Sequence, residues 1–143
     1  MSLFSVLSIG ASGMAAQRTR AELLVENLAN AETTRTPEGG PYRRKDAVFA
    51  SAPSDSPFAS VFDTEMQAGG VTVAGIATDS REPERRYLPG HPDADAEGYV
   101  AFPRINPAED MVDLLGASRG YAANVAAITA VKDMIERSLD LLR

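Results

Sequence analysis

There is no cysteine anywhere in the 143 residues, and only one histidine. The first absence removes disulfide frameworks and thiolate metal sites, which leaves the chain indifferent to the redox state of its compartment. The second leaves His91 as the sole imidazole base. No G-x-S-x-G elbow or phosphate-cradling glycine loop accompanies it, so the parts for Ser/His/Asp or Cys/His catalysis are missing. Gly39-Gly40 runs into Pro41 rather than into a helix start. The carboxylate pairs Glu109-Asp110 and Glu82/Glu84 fall where solvated helix or loop positions are expected, not acid–base pairs. Neither an enzyme nor a cofactor is expected.

Positive charge is also scarce: 14 Lys and Arg stand against 20 Asp and Glu, a net charge of -6. A chain of that sign does not read as a nucleic-acid binder, since phosphate contacts require a basic surface. The one basic run, Arg43-Arg44-Lys45, is a local patch. Long apolar runs are missing too, and nothing approaches the roughly 18 residues that would span a bilayer, so no membrane insertion is expected. The opening MSLFSVLSIGASGMAAQR has no Lys or Arg before Leu3, and its apolar residues recur at helical spacing instead of forming a block. It therefore does not read as a cleaved secretory signal.

What is present is a globular composition, 44% hydrophobic and 24% charged, in a length that suits one domain. The two ends read as helices. Leu7, Met14, Ala21 and Leu28 recur every seven residues, beside a second series of Leu3, Gly10, Gln17, Leu24 and Ala31, which predicts a helix over 3–31. Leu114, Tyr121, Ile128, Ile135 and Leu142 keep the same spacing, with Met111, Val125 and Leu139 as the companion row, interrupted by Ser118 and Lys132. They predict a helix over 107–142. Asn106 is placed to cap it, Pro107 suits its first position, and Glu109 completes a capping-box-like arrangement. The fold class expected is mainly α with a small β insert: a single elongated domain over 1–143, whose long terminal helices pair as an antiparallel coiled-coil-like hairpin. The middle, 32–105, is expected to be extended and rich in β-hairpin. Its strand-like runs are Ala47-Val48-Phe49, Val71-Thr72-Val73 and Tyr99-Val100-Ala101-Phe102, while SAPSDSP and PGHPDADAEG read as loops.

Gly10, Gly13, Gly116 and Gly120 interrupt the helical patterns, each at roughly 1 kcal/mol relative to alanine. Small neighbours around them let backbones approach closely. Both helices also carry apolar residues off the seam, among them Phe4, Val6, Ile9, Leu23 and Val25 on one and Leu115, Val131, Met134 and Leu141 on the other. A two-helix hairpin covers one face of each helix, so the surplus predicts packing against other subunits, with helices poorly ordered until then. Asp93, Asp95, Glu97 and Gly98 match the opening of a calcium loop, but position twelve is Arg104 and Pro92 and Pro103 flank it, so an acidic turn is the better reading. A calcium-binding adaptor and a hydrolase built on His91 stand as alternatives of other classes.

The segment Asn27-Leu28-Ala29-Asn30-Ala31-Glu32-Thr33 resembles the N-x-A-N-x-x-T signature that ends the first helix of bacterial flagellar axial proteins, the rod, hook and hook-associated subunits. The following T-R-T-P-E-G-G-P-Y-R-R, Val73-Ala74-Gly75-Ile76, P-G-H-P-D-A-D-A-E-G-Y-V and N-P-A-E-D-M-V-D-L look like the proximal-rod members, with a sister rod or hook subunit as the alternative. The likeness covers all but about residues 51–70 and 80–87. It implies a structural subunit of the proximal rod, in the periplasmic part of the basal body. Such a subunit passes through the flagellar export apparatus without a cleaved signal and assembles with adjoining rod subunits and the proteins of the rod–membrane-ring junction. By the same resemblance, the assembly interface is expected at Leu7, Met14, Leu24, Asn27, Leu28, Asn30, Thr33, Tyr42, Arg43, Leu114, Tyr121, Val125, Ile128, Ile135, Leu139 and Leu142. The paired asparagines are placed either to satisfy the last carbonyls of the helix or to bridge to a neighbouring subunit. The three cations are expected to meet acidic surface on a neighbour.

Overall fold

The structure, a computed structural model, describes residues 3–52 and 69–141. Most of the SAPSDSP loop and Leu142 lie outside them. Two helices, α1 (Leu3–Ala29) and α2 (Pro107–Asp140), enclose in sequence four strands: β1 (Lys45–Ser51), β2 (Val71–Thr78), β3 (Glu84–Tyr87) and β4 (Tyr99–Phe102). The mainly helical class with a small β insert stands. At about 1.5 Å per residue the helices are roughly 40 and 50 Å long.

Asn106 caps α2 as its sequence predicts: its side-chain oxygen accepts from Ala108 N–H at 3.2 Å, with Pro107 in the first turn. Glu109 and Asp110 complement the helix dipole there. The end of α1 comes two residues before the expected Ala31 for a local reason. The Asn30 side-chain amide donates to Glu26 O at 2.9 Å, the Thr33 hydroxyl donates to Asn30 Oδ1 at 3.2 Å, and Thr33 N–H to Asn30 O at 3.1 Å. These bonds take up acceptors at the helix end and turn the chain away.

The two helices touch along a line whose contacts run in opposite chain order. A Cβ built on Gly10 would lie 2.9 Å from Ile128 Cγ1 and one on Gly13 2.9 Å from Asn124 Nδ2, while one on Gly120 would lie 3.2 Å from Gln17 Cδ. Arg20 reaches Asp113 at 3.6 Å. The row of α2 that meets α1 keeps Ile128 of the expected seam, against Gly10, and corrects its companion row. Asp110, Ala117 and Val131 are buried and Asn124 is half-buried, whereas the expected companions Met111, Val125 and Leu139 are exposed. The missing Cβ atoms of Gly10 and Gly13 make room for the Ile128 and Asn124 side chains, while Met111, Val125 and Leu139 face outward.

The strands form two separate antiparallel pairs. β1 pairs with β2 from Lys45↔Thr78 to Ser51↔Val71, with a bulge at Val48/Phe49, and β3 pairs with β4 from Glu84↔Phe102 to Tyr87↔Tyr99. The first pair lies on α1, where Val71 N–H donates to the Ser12 hydroxyl at 3.0 Å and Gly70 lies against the same side chain. All three strand-like runs fall in strands, and β3 lies where no strand is expected. Its four residues, ERRY, are all exposed and lack the apolar alternation that marks a half-buried strand. A two-stranded ribbon is marginal alone, so both depend on what they lie against.

A candidate assembly site

The asparagine motif builds a junction between the end of α1 and the start of β1. Asn27 is fully buried. Its Nδ2 donates to Lys45 O at 2.9 Å, and its Oδ1 accepts from Lys45 N–H at 2.9 Å and from the Tyr42 hydroxyl at 3.1 Å. The primary amide thus pairs with the Lys45 backbone as a neighbouring strand would. Between them the chain reverses through Thr36–Gly40, where Thr36 N–H donates to Gly40 O at 2.8 Å and Gly39 N–H to Thr36 O at 3.0 Å. Gly39 and Gly40 have φ of 92° and 75°, which only glycine adopts without strain. Burial, with Glu26 nearby, pushes the Tyr42 hydroxyl up to about 12, so it stays a donor at every physiological pH.

Two of the three cations that follow, Arg44 and Lys45, are paired within the chain. Lys45 Nζ binds Glu26 at 2.6 Å. Arg44, mostly shielded, reaches Asp110 Oδ1 at 2.9 Å, with Asp46 at 3.4 Å and Asp113 at 3.9 Å. The carboxylates of β1 and of the first α2 turns thus surround Arg44 within the subunit. Arg43 alone stays exposed, donating to Asp79 O at 3.2 Å. Burial raises the Asp110 carboxyl against the counteracting pull of Arg44.

The acidic loop is held by its own backbone and by side chains that reach it from Thr34, Arg35 and Arg85. Asp93 accepts from the Thr34 hydroxyl at 2.8 Å and pairs with Arg35 at 3.5 Å. Asp95 binds Arg85 at 2.6 Å and accepts from the Tyr99 and Glu97 N–H groups, of which the Tyr99 bond does most to hold its carboxyl below the usual range. His91 Nδ1 accepts from Asp93 N–H at 3.1 Å. Among the described residues no group of three or more ionisable side chains is placed to hold a metal, and no helix is long and apolar enough to cross a membrane.

The expected interface residues divide into three sets. Leu24, Asn27 and Tyr42 are buried within the subunit; Leu7, Met14, Leu28, Asn30, Thr33, Leu114, Ile128 and Ile135 are half-buried; Arg43, Tyr121, Val125 and Leu139 are exposed, and Leu142 is outside the described residues. The expectation missed Met111 and Val112, exposed by 58% and 67%, which with Leu115 at 59% continue an outward apolar face on α2. Phe4, 80% exposed, does the same at the start of α1. An open groove of about 660 Å³ runs beside this face, lined by Ala21, Leu114, Leu115, Ala117 and Tyr121 with Gln17, Arg18 and Ser118. Monomers rarely leave so many large apolar side chains uncovered along one element.

Residues 96–141 match the family described as flagellar basal body rod FlgEFG protein C-terminal. Over its whole length the chain is 38% identical to the flagellar basal-body rod protein FlgC of Borreliella burgdorferi, covering 99% of that protein. It is also 38% identical to FlgC of Bacillus subtilis and of Salmonella typhimurium, covering 99% of this chain in each case and 99% and 98% of theirs. The chain belongs to the FlgC family. Its work is that of a structural subunit of the basal-body rod, and it is not an enzyme. The asparagine signature, with Tyr42 and Lys45, forms the junction described above within this FlgC-family subunit.

Proposed function

We propose that this chain forms one elongated domain in which α1 and α2 pair as an antiparallel coiled-coil-like hairpin, and that these hairpins pack side by side into a helical rod. The subunits then transmit torque through the periplasmic part of the basal body. The observation that carries this reading is the outward apolar row of α2, Met111, Leu115, Val125 and Leu139, on a chain whose family is structural. Burial of each such side chain contributes about 2 kcal/mol, a gain open only to an assembled subunit. Leu7, Met14, Leu28, Leu114, Tyr121, Ile128, Ile135 and Leu142 are the other apolar members of this interface, with Arg43 as its exposed cation and Asn30 and Thr33 at its edge. The partners are adjoining proximal-rod subunits and the proteins of the rod–membrane-ring junction, reached by way of the flagellar export apparatus.

The test is imaging of negatively stained basal bodies from a strain lacking this chain. The expected particle is a membrane ring with no rod above it, restored when the chain is supplied again. Complete rods in the deletion strain would refute the role.

A further inference from the structure

The contact between the helices has a repeat that leaves its register weakly determined. Gly10, Gly13 and Gln17 of α1 face Ile128, Asn124 and Gly120 of α2, and seven residues further along α2 stand Ile135, Val131 and Ala127. Sliding α2 by one repeat, about 10 Å, would bring Ile135 opposite Gly10, Val131 opposite Gly13 and Ala127 opposite Gln17, all of them apolar. Packing alone opposes that slip little. The charged contacts change character: Gly120 would replace Asp113 opposite Arg20, a partly exposed pair at 3.6 Å, and Ala117 would replace the buried Asp110 opposite Arg44. A slip the other way would bring Pro103 there, which lies before the start of α2.

We propose that the Arg44–Asp110 pair is a register pin for the two helices. Arg44 is fixed relative to α1 because its neighbour Lys45 is held at both backbone polar groups by Asn27, and Arg44 then reaches one carboxylate on the first turn of α2 at 2.9 Å. The pair is not built for stability. Asp110 is 1% exposed, yet its Oδ2 has no hydrogen-bond partner, and neither has Arg44 Nε. A buried ion pair with polar atoms left over is often no better than apolar replacements, and its best-attested use is to discriminate between registers.

This inference rests on the helix pairing proposed above, and the experiment separates the two. The chain has no cysteine, so engineered pairs report register directly. Gln17→Cys with Gly120→Cys reads the register described here, and Gln17→Cys with Ala127→Cys reads the slipped one. With Arg44 and Asp110 intact, oxidation should cross-link only the first pair within one molecule. In an Arg44→Met/Asp110→Leu background the second pair should cross-link about tenfold more than before, while the melting temperature is no lower than the parent's. Arg44→Lys should keep the original register. Should the double replacement lose its helical circular dichroism, Arg44→Gln is read in its place and should give the same slipped cross-link. A slipped pair that stays at background, or a melting temperature of the double variant as low as that of Arg44→Met alone, overturns the pin and leaves the pairing intact. Failure of the first pair to cross-link in the parent overturns both.

Discussion

Asn27 is the residue on which the junction turns. Alanine there would leave the Lys45 N–H and the Tyr42 hydroxyl without the acceptor they share, and a buried polar group stripped of its partner costs more than the bond itself was worth. Asn27→Ala is therefore expected to lower stability by about 3 kcal/mol, and amide exchange should show the loss at the start of β1 while the middle of α1 keeps its protection. Asp110 carries the second residue-scale prediction. Its carboxyl titrates above its unfolded value of 3.8 because burial favours the neutral form, so the folded state holds the proton more tightly than the unfolded. The contribution is fully present below pH 3.8 and is lost as pH rises through the folded value. Thermal melts of the parent should thus fall relative to those of Asp110→Asn as pH climbs from 3.8 towards neutrality. Asp79 has the opposite sign: its bonds with Arg81 hold it down to about 2, and what it contributes is lost as pH falls from 3.8 towards that value.

Among the elements, the helices and their caps were legible in the sequence because capping and apolar spacing act locally. Asn106-Pro107 placed the start of α2, and Asn30 with Thr33 explains a stop at Ala29 that the heptad count carried two residues too far. The inner row of α2 was legible only in part. Heptad counting follows large apolar residues; it found Ile128, which lies against Gly10, but not the half-buried Asn124 against Gly13 or the buried Asp110 and Ala117, and it placed Met111, Val125 and Leu139 inward where they are exposed. The junction was half legible: the motif announced a helix end, but nothing in its spacing showed that an amide would pair with the backbone 18 residues on. The glycines separate by the same logic. A Cβ on Gly116 meets nothing within 4 Å, whereas one on Gly10 meets the Ile128 side chain at 2.9 Å. Gly116→Ala should stabilise the isolated subunit by about 1 kcal/mol through helix propensity, and Gly10→Ala should destabilise it because overpacking outweighs that gain. Denaturant midpoints that moved in the same direction would contradict the assigned faces.

At the scale of the molecule, the interior is thin and polar where the elements meet. Among the described residues the buried apolar side chains are few, Leu23, Leu24, Val100 and Val131 the largest aliphatic ones, and the junction is held by Asn27, Arg44 and Asp110 instead. Much of the apolar surface that would complete a core is on the outside of α2. On the proposed assembly face, stability of the lone subunit and competence to assemble are carried by different residues, which makes them separable. Replacing Met111, Leu115 and Val125 together by serine removes exposed apolar area without touching the inner row. The free subunit should lose about 1.5 kcal/mol or less, most of it from the helix propensity of serine relative to leucine and methionine. Motility in soft agar, with the variant as the sole copy, should be abolished, because the area those side chains would bury between subunits is gone. A variant that swims normally would place the assembly face elsewhere on the molecule, and one that fails to fold in isolation would mean that the outward row supports the monomer itself.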